Sequence, residues 1–223
     1  EREATADIIS LSSDTINAGM SDDEFLARFI EYVVRSLKGS GGAILKINDD
    51  VHFKGSAVAG IFPPLKQLSP QVAGQLLAHA KKHSEFIREQ SFDITPSQID
   101  ELCIDRGFAY FEAPNHPSWV PESFCKDAPV FLVTPIRLNT RTKAFIIVTS
   151  GVEFDWHSLK EEDGKSLVRL AAIASLGLDV IRVFKERQEY DERLQSAREE
   201  GMIQVSTGII HNIGNAITVA KLV

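Results

Sequence analysis

Gly42-Ala43-Ile44-Leu45-Lys46-Ile47, then Asn48-Asp49-Asp50, then Val51-His52-Phe53-Lys54-Gly55-Ser56-Ala57-Val58-Ala59 reads as a β-hairpin. Two runs rich in apolar and β-branched residues flank a tripeptide of turn formers, and that combination favours antiparallel pairing. A second instance comes later in the chain. Val130 to Arg137 and Lys143 to Ser150 flank Asn139-Thr140-Arg141. Pro135 cannot donate to a strand ladder, so the first of these strands is expected near an edge or a bulge. Four strands in two hairpins predict an antiparallel sheet.

The segments around the hairpins are helical. Ser21-Asp22-Asp23-Glu24 is a capping box, with Met20 and Phe25 placed to form a hydrophobic staple. Phe25, Phe29, Val33 and Leu37 then line one face, and Gly39 is expected to stop the helix. Another helix is expected before it. Between the hairpins, Ser69-Pro70 opens a helix to about His83, and Thr95-Pro96 opens another that closes near Gly107. In that second helix Ile99, Leu102 and Cys103 share the apolar face. Residues 112 to 129 hold Pro114, Pro117, Pro121 and Pro129 with Trp119, Phe124 and Cys125. Such an irregular stretch either covers a pocket or merely connects two elements, and both readings stand. The fold class is α+β, an antiparallel sheet flanked by helices.

After the second hairpin the chain reads as one long helix. Ser158-Leu159-Lys160-Glu161 is another capping box, and from Leu176 the positions Val180, Val183, Arg187, Tyr190, Leu194, Ala197 and Gly201 advance by alternating fours and threes. That spacing is a parallel coiled-coil seam. Ile203, Ile210 and Ile217 form a second heptad series, with Ile213 and Ala220 at its other seam position. The two series are out of phase, so a break is expected near Gly201, where helix propensity is also lowest. In the second series His211 lies off the seam, and Asn215, four residues on, shares its face.

The stretch Gly208-Ile209-Ile210-His211-Asn212-Ile213-Gly214-Asn215-Ala216 resembles the phosphoacceptor box of sensor histidine kinases. The resemblance implies that His211 accepts the γ-phosphate of ATP on the first helix of a dimeric four-helix bundle. It implies that Asn215 is the amide that places water to dephosphorylate a partner aspartate. The box departs from the family at Asn212, where the usual carboxylate is missing: an amide orients the ring by accepting a hydrogen bond but cannot serve as general base. The order of elements before it resembles a GAF domain, a sensor module of signalling proteins, over residues 5 to 180; a PAS-like domain is the alternative. Neither the cyclic-nucleotide signature of some GAF domains nor the Cys-His pair of bilin-binding ones occurs: Cys103 precedes Ile104 and Cys125 precedes Lys126. The implied organisation is a GAF-like sensor domain over 1–157, an exit helix and coiled-coil linker over 158–201, and the start of the phosphoacceptor helix over 202–223.

The resemblance also supplies partners: a second copy of the chain, a response regulator, and an unidentified small-molecule ligand. ATP and Mg belong to a kinase domain that this chain does not contain, since no glycine-rich phosphate loop occurs and only twelve residues follow His211. The chain is therefore expected to be part of a longer protein and inactive alone.

Charge and composition narrow the other classes. A net charge of −7 with no concentrated basic patch argues against nucleic acid. The longest apolar run, Leu170 to Leu178, is bracketed by Arg169, Asp179 and Arg182 and is too short for a bilayer, so a cytoplasmic location without membrane contact is expected. His79 and His83 stand four residues apart, but no histidine has zinc-ligand company, and no metal is expected. Two cysteines make no disulfide framework. Two rival functions remain: a regulatory or scaffolding module that dimerises without phosphotransfer, and a thiol enzyme of the methionine-sulfoxide-reductase kind centred on Cys125, whose neighbour Lys126 would favour the thiolate.

Overall fold

The computed structural model describes residues 21–48, 52–60, 62, 91–120, 130–150 and 159–220, with side chains in the last segment as far as residue 213. The elements run α1 (Asp22–Leu37), β1 (Gly41–Asn48), β2 (His52–Gly60), β3 (Ser91–Phe92), α2 (Pro96–Leu102), β4 (Ala109–Glu112), β5 (Val130–Leu138), β6 (Arg141–Ser150) and α3 (Asp163–Ala220). The expected first helix, the helix from Pro70, the Met20 staple and Cys125 lie outside the described residues.

Helix α1 forms as its sequence dictates. Ser21 caps it by accepting from the Glu24 amide, and the Glu24 carboxylate accepts from the Ser21 amide at 2.8 Å. That backbone bond holds the Glu24 carboxyl below the usual carboxylate range. The helix does not end at Gly39 as expected. Lys38 takes the left-handed conformation at φ 54°, and the Gly39 amide returns to the Val34 carbonyl at 3.0 Å. Gly39 is instead needed for space, because a Cβ there would sit 2.8 Å from Val148 Cγ1.

The sheet has six strands in the order β3-β2-β1-β6-β5-β4, every neighbouring pair antiparallel. Both expected hairpins are present, and β1 and β6 join them at the centre. The β5–β6 turn is tighter than the sequence suggested: Asn139 and Thr140 both have positive φ, and Arg141 already pairs with Leu138. That is the two-residue turn whose twist suits a hairpin. β3 and β4 are additional to the four expected strands. Pro135 sits where β5 runs past its β4 partner, which pairs only with Val130 to Val133, so its missing N–H leaves no ladder bond unmade on that side.

Both faces of the sheet are covered, which is why β1, β5 and β6 carry apolar residues continuously rather than alternately. One face holds Ile44, Leu132, Ile146 and Val148 against α1 and the first turns of α3, through Phe25, Phe29, Leu167, Leu170 and Ala174. The other holds Leu45, Phe53, Phe131, Val133, Phe145 and Ile147 under α2, with Ile94, Ile99, Cys103 and Val120. The short helix α2 ends at Leu102, earlier than expected; Ile99 and Cys103 are buried, but Leu102 is 41% exposed and is not part of the apolar face.

Helix α3 begins at Asp163, whose carboxylate accepts from the Lys160 amide at 2.8 Å; Ser158, the expected cap, lies outside the described residues. It continues without interruption to Ala220, so the expected break near Gly201 is a change of seam and not of helix. The compact unit containing the sheet extends to Ile181, and a second unit begins at Arg182. Among the described residues no helix is long and apolar enough to cross a membrane.

Candidate functional site

Of two cavities lined by described residues, the larger lies on the α2 side of the sheet. Thr95 caps α2 by accepting from the Gln98 amide, the Gln98 side-chain oxygen accepts in turn from the Thr95 amide at 2.8 Å, and Pro96 occupies the first turn. This anchoring turns Ile99 and Cys103 into the core. It leaves Gln98, Glu101 and Leu102 facing a cavity of about 740 Å³, with Asp93 and Ile94 beyond the end of β3 and Phe111, Pro117, Ser118 and Trp119 completing the described wall. Trp119 meets Phe145 edge to face at 5.5 Å, and Phe145 meets Phe53 in the same way at 4.6 Å, so the aromatic wall is continuous with the core. The Trp119 Nε1–H is buried with no acceptor among the described residues. The lining mixes apolar and polar side chains, the mixture from which small-molecule sites are built.

The charged groups near the cavity are mutually arranged. His52 Nε2 lies 3.8 Å from Asp93 Oδ1. Asp100 faces away from the cavity: its Oδ1 accepts from Arg137 Nε at 3.0 Å, Arg137 Nη2 at 2.6 Å and Thr142 Oγ1 at 2.8 Å. The Cys103 thiol, buried and near the Val133 carbonyl, is pushed up to about 12, chiefly by desolvation. Such a thiol is inert at neutral pH. Among the described residues no group of three or more His, Cys, Asp or Glu side chains converges.

A second hollow, of about 530 Å³, lies on the other face between the start of α1 and the β1–β2 hairpin. Its polar groups answer one another, Lys46 Nζ to Asp23 at 2.8 Å and Ser56 Oγ to Asp23 at 3.0 Å.

No family profile and no curated protein sequence matches the chain. Solved structures do. The GAF domain of an Acinetobacter phosphoenolpyruvate-protein phosphotransferase superposes with a TM-score of 0.52 at 15% identity, over 82% of this chain and 96% of that one. The phycoerythrobilin-bound GAF domain of a cyanobacterial phytochrome gives 0.55 at 9% identity, over 82% and 98%.

The fold is that of a GAF domain.

The free methionine-R-sulfoxide reductase of Neisseria meningitidis has it too, at a TM-score of 0.50 and 14% identity over 81% of this chain and 89% of that one. Of the two sheet architectures left open by the sequence, the GAF fold is the one observed.

The GAF unit contains the cavity, and the second unit contains His211. In that unit Met202, Ile203, Val205, Ile209, Ile210 and Ile213 are all exposed, and at about 100° per residue they fall on one broad stripe of α3. His211 lies on the opposite face, exposed, with Asn212 exposed beside the stripe's edge. The helix spacing puts Asn215 one turn beyond His211 on that same face; its side chain is outside the described residues. Within the second unit the earlier seam, with Val183, Tyr190 and Leu194 exposed, meets the Met202–Ile213 stripe at a rotation of roughly 120°. The spacing placed His211 and two apolar seams on a helix, and α3 carries His211 and the seam residues Val183, Tyr190, Leu194, Ile203, Ile210 and Ile213 exposed. Sequence reasoning missed the Asp100–Arg137–Thr142 cluster, for which the one available signal was a lone arginine within the apolar run Val130–Leu138.

Proposed function

We propose that this protein is the sensory and dimerising part of a two-component histidine kinase, in which a small molecule held by the GAF domain governs phosphotransfer through His211. The observation that carries the reading is the exposed imidazole on the face of α3 opposite an exposed apolar stripe. Two copies packed through the stripe would bury it and leave both imidazoles in water. There a ring nitrogen attacks the γ-phosphorus of ATP, the bond to the bridging oxygen breaks, and ADP leaves. The proton lost from the ring goes to water, because the Asn212 amide has no basic site to take it. ATP and Mg would come with a histidine-kinase catalytic domain, and the phosphate would pass to an aspartate of a response regulator. Asn215 would place the water for the reverse, dephosphorylating reaction. The setting is cytoplasmic.

Asn212 itself favours a second reading, a regulatory or scaffolding GAF module that uses the same stripe to dimerise and transfers nothing. The thiol-enzyme reading rests on Cys125 alone. The separating experiment supplies a histidine-kinase ATP-binding domain, labelled ATP and Mg to the protein. Acid-labile phosphate that disappears in His211→Ala supports the kinase reading; no label on a folded dimer supports the scaffold.

A further inference from the structure

Two sets of contacts tie the wall of the cavity to the helix that leaves the GAF domain. We propose that residues 96–108, helix α2 and its connection to β4, transmit occupancy of the cavity to α3. This rests on the cavity being the sensor site.

The first link starts one residue from the wall. Glu101 and Leu102 face the cavity, while Asp100 on the same turn holds the Arg137 guanidinium and the Thr142 hydroxyl. The backbone amide of Arg137 donates to Ser175 Oγ at 3.2 Å, and that hydroxyl donates to the Ala171 carbonyl at 2.9 Å, within α3. One residue of β5 therefore bonds the wall helix with its side chain and the exit helix with its main chain.

The second link is the connection itself. Beyond Cys103 the chain crosses from one core to the other: Arg106 pairs with Glu161, the Gly107 carbonyl accepts from Thr134 Oγ1 at 2.8 Å, and the Phe108 ring lies on Gly164. The two links meet the α3 region around 161–164 and 171–175, about three turns apart. Helix α2 has seven residues, of which only Ile99 is buried. Its displacement by an occupant would act on α3 at both points, through the hydrogen-bonded and packed contacts.

The test tethers an occupant. In the full chain carrying Cys125→Ser and Ser118→Cys, N-phenylmaleimide labels the cavity wall, since the Cys103 thiol is buried and inert. Amide hydrogen exchange is then compared with and without label, with label on Ser36→Cys of α1 as control. Labelling at 118 is expected to change exchange at residues 167–181 by about two- to twelvefold, the range spanned by one hydrogen bond gained or lost. Ser175→Ala or Arg106→Gln should reduce the response, and the double variant should abolish it. An α3 that ignores the label while residues 98–102 respond would overturn the proposal. So would a full response in the double variant, or no response anywhere. An intact response with unlabelled His211 in the phosphotransfer assay would leave the coupling standing and remove the kinase reading instead.

Discussion

The same substitution at two glycines of α3 should have opposite effects. At Gly164 an added Cβ would lie 2.2 Å from Phe108 Cε2 and 2.3 Å from Cδ2. Ordinary contact begins about 1 Å further out, and Phe108 is only 6% exposed, so the ring has to move inside a filled core. Overpacking of this kind costs about 1–3 kcal/mol, while the helix-propensity gain of alanine over glycine offsets at most about 1 kcal/mol. The net loss, up to about 2 kcal/mol, should lower the Tm by up to about 8 °C in a chain of this size. At Gly201 nothing lies within 4 Å of the added Cβ. Only propensity acts there, about 0.8–1 kcal/mol in favour, so amides around residue 201 should exchange about four- to fivefold more slowly. Differential scanning calorimetry reads the first variant and hydrogen exchange the second. A Gly164→Ala protein melting at or above wild type would refute the seating of Phe108 on α3, and with it the second link from cavity wall to exit helix.

Asp100→Ala removes three hydrogen bonds in a half-exposed cluster, and chemical denaturation should register a loss of about 1–2 kcal/mol after allowance for solvent screening. Thr95→Ala removes the cap of α2 and should cost about 1 kcal/mol, with faster exchange at residues 98–102 ahead of any change in α1. Cys103 gives the alkaline limb of the stability curve a definite sign. Its thiol stays protonated in the folded protein to about 12, whereas the unfolded chain releases the proton from about 9, so stability is full below pH 9 and falls as pH rises towards 12. Denaturation at pH 8, 9.5 and 10.5 should show that decline in wild type and a flatter profile in Cys103→Ala.

The elements legible in the sequence are those whose signals are local. The α1 capping box and its apolar stripe lie within a few turns, and the two hairpins announce themselves through apolar runs around turn formers. β3 and β4, of two and four residues, are strands because β2 and β5 offer them an edge, and no alternation of their own marks them. Helix α2 stops at Leu102 because Cys103 leaves helical geometry, and Leu102 stays outside the core while Ile99 and Cys103 are buried. The change of seam at Gly201 was visible, but the helix continues through it: one glycine costs less than the hydrogen bonds on either side contribute. The Asp100–Arg137 pair joins residues 37 apart, beyond the reach of any periodicity. The position of His211 off the apolar stripe follows from its neighbours' spacing, whereas the described wall of the cavity comes from four separate segments brought together by the fold.

The central claim is that the imidazole of His211 carries phosphate. The most direct measurement is mass mapping of the protein after incubation with ATP, Mg and a histidine-kinase ATP-binding domain, with digestion held at alkaline pH. One phosphorylated site is expected, His211, stable in base and lost in acid. Phosphate on a serine or threonine, or a dimer that takes up none, would contradict it.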